Sequence, residues 1–96
     1  MHARVVRLTG DPGRIGDGIS AINERVIPTL KGMQGFVSGT WLADRQSGEA
    51  LGVVLWESEE ALKGSDEAAR QMREGIAKDI GATIEVVGNY EVVAQA

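Results

Sequence analysis

Gly35-Phe36-Val37-Ser38-Gly39-Thr40-Trp41-Leu42-Ala43, then Asp44-Arg45-Gln46-Ser47-Gly48-Glu49, then Ala50-Leu51-Gly52-Val53-Val54-Leu55-Trp56: this stretch decides the fold. Two runs rich in β-branched and aromatic residues flank a short polar segment that carries Asp, Ser and Gly. That pattern predicts strands over Phe36–Ala43 and Ala50–Trp56, joined by a hairpin loop. Downstream, Ser58 is placed to cap a helix, and Glu59 and Glu60 fall in its first turn, where the helix dipole favours acids. Gly64-Ser65-Asp66 breaks or bends that helix. Ala69, Met72, Ile76 and Ile80 then continue an apolar stripe to Gly81, a C-terminal cap. Thr83 to Val93 reads as a last strand, bulged near Gly88.

Upstream, residues 3–9 read as a strand that Gly10 ends. Asp11-Pro12 starts a helix, with Asp as cap and Pro at the first helical position. Ile15, Ile19, Ile22, Val26, Leu30 and Met33 recur at spacings of three and four, a stripe that faces a core. Pro28 interrupts it, so the last turn is expected to kink or end early. The order β-α-β-β-α-β is the ferredoxin-like α+β arrangement, an antiparallel four-stranded sheet with both helices on one face.

The chain of 96 residues has room for one domain, 1–96, with one modest core. With 43 % hydrophobic and 25 % charged residues it reads as an ordinary globule. It has no cysteine, which excludes disulfides and thiolate chemistry. A net charge of −4, with the basic residues scattered among acids, argues against nucleic acid or an anionic membrane as partner. No apolar run approaches the ~20 residues of a membrane span. Met1 to Arg7 lacks a signal-peptide core, so a cytoplasmic location is expected.

Two helices cover one face of a sheet, and the other face should then alternate with polar residues. These strands carry apolar side chains on both faces. Leu51, Val53 and Leu55 oppose Val54 and Trp56. Period-two alternation puts Phe36 and Leu42 against Val37, Trp41 and Ala43, and sets Ile84, Val86, Tyr90 and Val92 against Val87 and Val93. A second copy packed sheet on sheet would bury the spare face, so a homodimer is expected. Polar side chains and the C-terminal tail are the alternative cover.

Gly35-Phe36-Val37-Ser38-Gly39, Trp41-Leu42-Ala43-Asp44, and Trp56-Glu57-Ser58-Glu59-Glu60-Ala61-Leu62, with Val26-Ile27-Pro28-Thr29-Leu30 upstream, resemble the antibiotic-biosynthesis-monooxygenase domain of the dimeric α/β-barrel superfamily. The resemblance spans nearly the whole chain, and its motifs are mostly structural. It implies a homodimer in which two sheets form a barrel with the helices outside, and a pocket in each protomer between sheet and helices. Some members of that family oxidise phenols or anthrones to quinones without metal or flavin, and others degrade haem. The haem branch uses an Asn on the first strand, a Trp early in the second helix and an iron-ligating His. Here the first strand has no Asn, Lys63-Gly64 has no Trp nearby, and Met72 or Arg73 stands where the His would fall. The resemblance therefore implies an uncharacterised pocket protein, in one reading a cofactor-independent monooxygenase acting on a small aromatic substrate. The alternative is a non-catalytic dimeric ligand-binding or structural module.

The candidate pocket residues are Asn23, Ser38, Thr40, Trp41, Trp56, Met72, Arg73 and Tyr90, the types that could orient a ring or stabilise an anion. Each has a plainer role available. Trp56 suits a core aromatic, Trp41 an interface anchor or a pocket wall, and Tyr90 simple packing. Arg73 suits a surface ion pair and Asn23 a solvated helix face. Ser38 and Thr40 could line a cavity or fill a strand face shared with Phe36 and Leu42. Trp41, Trp56 and Met72 could together pack the pocket shut. The single histidine, His2, sits at the amino end and reads as a frayed terminal residue. With the single histidine at the amino end a serine triad is not expected, and no cluster has metal-ligand spacing, so neither cofactor nor metal is expected. Gly16-Asp17-Gly18-Ile19-Ser20-Ala21 matches a dinucleotide fingerprint in letters alone. It lies several residues past the strand, and Asp17 would repel a pyrophosphate.

Overall fold

The computed structural model describes residues 1–96. Four strands, β1 (His2–Thr9), β2 (Phe36–Ala43), β3 (Glu49–Trp56) and β4 (Thr83–Glu91), form one antiparallel sheet in the order β2-β3-β1-β4. The helical segments are α1 (Ile15–Ala21), α2 (Ile27–Lys31), α3 (Glu59–Gly64) and α4 (Asp66–Ile80). The observed order is the βαββαβ arrangement, and no helix is long and apolar enough to cross a membrane.

The first helical stretch is continuous but not uniform. The Gly13 amide donates to Asp11 Oδ1 at 2.8 Å, capping a 3₁₀ turn over Pro12–Arg14. A π turn over Ile22–Val26 then separates α1 from α2. Pro28 lacks an amide hydrogen and would crowd an α-helical carbonyl four residues back. The wider π turn relieves that conflict, so the helix does not end at Pro28 but runs to Lys31. The other helix follows its signals more closely. Ser58 Oγ accepts from the Ala61 amide at 3.1 Å, the chain bends at Ser65, and Gly81 closes α4 with a left-handed φ of 69°.

Strand register decides which side chains meet the helices. Across the sheet, helix-facing rows read Phe36–Trp56–His2–Glu91, then Gly39–Val54–Arg4–Asn89, then Trp41–Gly52–Val6–Val87, then Ala43–Ala50–Leu8–Ile84. The open face reads Ser38–Leu55–Ala3–Tyr90, then Thr40–Val53–Val5–Gly88, then Leu42–Leu51–Arg7–Val86. Two irregularities correct the simple alternation. Val37 is an extra residue between Phe36 and Ser38, which moves Phe36 to the helix side, opposite Leu42. Glu85 is extra between Ile84 and Val86, so Ile84 joins Val87, and the irregularity lies here rather than near Gly88. His2 is not frayed; it pairs with Trp56 and Glu91 inside β1.

The core is small and lies toward one end of the space between sheet and helices. Leu30, Trp56 and Leu62 are fully or nearly fully buried there, with Phe36 edge-on to Trp56 at a centroid distance of 5.9 Å and an interplanar angle of 77°. The entry to β2 is fixed by Gly35, whose φ is +82°. A side chain at Gly35 would collide with the Ala61 methyl and lie 3.3 Å from the Glu57 side chain. Gly35→Ala is therefore expected to cost about 2 kcal/mol or more, combining a left-handed backbone with overpacking. Urea denaturation should show a lowered midpoint with an unchanged slope.

Candidate functional site

Away from the Trp56 cluster, the helix-facing rows contain Ala43, Ala50 and Gly52 in place of large side chains. Helices and sheet are held apart by the core, and these small residues cannot fill the gap. The result is a cavity of about 370 Å³, lined by 27 residues of which 18 are hydrophobic. That volume is within the range of small-molecule sites. The walls come from β1 (Val6, Leu8), β3 (Val54), the first helical stretch (Ile15, Ile22, Val26) and α4 (Ile76, Ile80).

Trp41 forms one wall, and two glycines place it. Its indole lies over Gly39, where an added Cβ would meet Cζ3 at 2.8 Å. It also lies beside its cross-strand partner Gly52, where a Cβ would sit 3.0 Å from Cδ1 and Nε1. The flat ring therefore lies down on the sheet and presents a face to the cavity rather than standing into it.

The polar part of the lining is unusual. Four arginines, Arg4, Arg14, Arg45 and Arg73, face a single carboxylate, Asp11, although the chain as a whole is acidic. Arg14 is engaged by Asp17 Oδ2 at 3.1 Å and by the Asp79 carbonyl at 3.1 Å. Arg4 is 3 % exposed. Its Nη1 donates to Ser65 Oγ at 3.1 Å, and its Nη2 donates to the Leu62 carbonyl at 3.0 Å and to Asp66 Oδ1 at 3.1 Å. These bonds tie β1 to the α3–α4 junction. Arg4 Nε is buried and has no hydrogen-bond partner in the chain. Arg73 Nε is also buried and unpartnered, and Arg73 makes no ion pair. Burial lowers the pKa of both guanidiniums, Asp66 opposes that shift in both, and the Arg73 charge adds to the lowering at Arg4. Arginine nevertheless stays charged.

Of the eight candidates named from sequence, the cavity brings together Trp41, Met72 and Arg73. The other five lie elsewhere. Trp56 is wholly buried in the core, and its indole N–H has no partner. Asn23 is exposed and donates back to the Ile19 carbonyl at 3.1 Å. Ser38, Thr40 and Tyr90 belong to the open face of the sheet, Tyr90 folding over Gly88, where a Cβ would lie 2.6 Å from the phenol oxygen. Arg73 is no surface ion-pair partner. It sits four residues after Ala69 and three before Ile76, on the stripe of α4 that meets the sheet. Arg4 was missed altogether, though the alternation of β1 already groups it with Val6 and Leu8.

No protein-family model matches the chain. Among curated proteins, an uncharacterized protein of Mycobacterium tuberculosis is 32 % identical over 94 residues, covering 98 % of this chain and 42 % of the relative. A second uncharacterized protein of the same organism is 31 % identical over 74 residues, covering 77 % of this chain and 31 % of the relative. The chain thus spans less than half the length of the curated relatives it matches. Among solved structures, the ActVA-Orf6 monooxygenase of Streptomyces coelicolor, in complex with nanaomycin D, superposes with a TM-score of 0.72 at 20 % identity. The alignment covers 99 % of this chain and 90 % of that one. SnoaB, a cofactor-independent oxygenase of Streptomyces nogalater, gives 0.71 at 17 %, covering 98 % and 94 %. This chain has the antibiotic-biosynthesis-monooxygenase fold. The haem degrader MhuD of Mycobacterium tuberculosis, with two haems bound, shares it with a TM-score of 0.77 at 18 % identity, covering 100 % and 99 %.

Chemistry on this fold differs between those proteins, so the residues of the cavity must decide. None of those lining it is a histidine, cysteine or tyrosine, the usual anchors of haem iron. Met72 is a lone thioether, and His2 lies outside the lining, with Nε2 3.4 Å from Glu59. The residues present do not fit haem.

Proposed function

We propose that the chain acts as a homodimer, joined sheet on sheet, in which each protomer's cavity binds a small aromatic molecule and oxidises it with molecular oxygen without a bound cofactor. The observation that carries this reading is the cavity itself: aliphatic walls, the flat indole of Trp41 on its glycine shelf, and cationic side chains as nearly all of its charged lining. Aliphatic walls and the indole orient the ring and exclude water. An anthrone represents the substrate class. Its ring CH₂ ionises in solution before entry, and the bound anion passes an electron to oxygen. The radical pair then combines into a peroxide, which loses water to leave the carbonyl. One O₂ is consumed, with one oxygen atom entering the quinone and the other leaving as water.

Asp11 is the only carboxylate in the lining, and no histidine or tyrosine is there to act as base. That observation favours a second reading, a module that binds such a molecule without turning it over, and it restricts the first to substrates acidic enough to ionise unaided. The two readings part in an oxygen electrode. With an anthrone and chelator-treated protein, uptake should exceed the autoxidation control and match quinone formation one to one. Binding seen by calorimetry with no uptake above control would refute the oxygenase and leave the binding module.

A further inference from the structure

We propose that Arg4 and Arg73 form an anion clamp in the cavity, and that the molecule it takes carries one carboxylate on an otherwise flat, apolar body. This rests on the reading that the cavity binds a small aromatic molecule, and it names the class more closely.

The argument begins with buried charge. Placing a guanidinium in an apolar enclosure is costly unless its charge is compensated and its N–H groups are bonded. Arg4 meets part of that requirement through Ser65, Leu62 and Asp66, and its Nε remains buried without a partner. Arg73 has neither a hydrogen bond nor an ion pair within the chain; its Nε is buried, while the side chain is only half-buried and its Nη groups stay open. Both line the same cavity, and each guanidinium feels Asp66. Asp66 is in contact with Arg4 alone, so Arg73 is the guanidinium of the two without a contact counter-ion, although Asp66 and Glu74 both act on it from a distance.

An anion seated against Arg73 would supply the missing contact. Carboxylate also suits the donors. Its two oxygens lie in one plane and accept from guanidinium N–H groups at fixed angles. Both oxygens can accept from the unengaged Nη groups of Arg73, with the neighbouring guanidinium of Arg4 adding its charge. The remaining walls reward only apolar surface, so the anion belongs at one end of an oily molecule.

Anthraquinone-2-carboxylate and its neutral carboxamide are probes of nearly equal shape that differ in charge. Titration calorimetry on the intact protein should show the acid binding at least tenfold more tightly than the amide. Arg73→Met should bring the two affinities to within about twofold, and Arg73→Lys should keep part of the preference. Arg73 bonds to nothing in the chain, so its melting temperature should not fall in R73M, and the wild-type acid-to-amide ratio gives the answer even if it does. Equal affinity for the two probes, no binding of either, or an undiminished preference in R73M would overturn the clamp. The readout is binding, not turnover. Absent oxygen uptake with a strong acid preference would therefore sink the oxygenase and leave the clamp standing, and the reverse pattern would do the opposite.

Discussion

Val53→Asp is expected to convert the protein from a dimer at micromolar concentration into a folded monomer. Val53 lies mid-strand on the open face, between Thr40 and Val5 in its row, with Leu55 and Leu51 in the rows on either side. Around them, Leu42 is 51 % exposed, Val86 44 % and Tyr90 56 %. No helix covers this side, and Arg7 is the one charged side chain in its three central rows. At about 25 cal/mol per Å² of apolar area, a face of this kind strongly favours a partner. If a second copy covers it, each protomer brings one aspartate into the interface, and the desolvation penalty of several kcal/mol applies twice. A loss of about 5 kcal/mol raises the dimer Kd by more than three powers of ten. Within the isolated protomer the same residue stays partly open to water, so its fold should survive. Sedimentation velocity distinguishes the cases. A wild-type monomer, or a V53D dimer of unchanged affinity, would remove the sheet-on-sheet arrangement.

Much of the fold was legible because its signals are local. Ser58 and Asp11 cap where their side chains predict, Gly81 takes the left-handed cap, and the Asp44–Gly48 loop turns through Asp44 Oδ1 accepting from the Gln46 amide at 2.8 Å. What failed was propagation. Period-two reasoning carries a face assignment along a strand only until an extra residue intervenes, and nothing in the composition of Val37 or Glu85 announces that they are extra. Phe36 and Ile84 were therefore placed on the wrong side. Ser38, Thr40 and Tyr90 suit a pocket by chemical type, but register puts them on the open face. Arg4 went unnamed, and Arg73 was named with a surface ion pair as its plainer role, because a charged residue reads as solvated by default. Position on the apolar stripe was the signal available at Arg73, and an unexplained charge in an apolar row was the signal at Arg4.

Trp56→Ala should bring the protein close to unfolding. Trp56 is 0 % exposed and ends β3 against Leu30 and Leu62, with Phe36 edge-on to its ring. Only 11 of 96 residues are buried, so this one indole makes up a large share of a small core. Truncating a buried tryptophan costs about 3–5 kcal/mol, against a total stability of about 5–15 kcal/mol for a domain of this kind. At about 4–8 °C per kcal/mol for a domain of 60–100 residues, the melting temperature should drop by at least about 12 °C. The cavity should suffer with the core, because Trp41, Val54 and Met72 pack on the Trp56 cluster and also line the cavity. Trp56→Phe separates packing from polarity. It keeps an aromatic ring against Phe36 and removes an indole N–H that is buried without a partner, so some of the lost contact is offset by a relieved desolvation penalty. W56F should therefore melt well above W56A and retain binding of the anthraquinone probes. Melting of W56A within a few degrees of wild type would mean that the helices are held on the sheet by something other than this cluster.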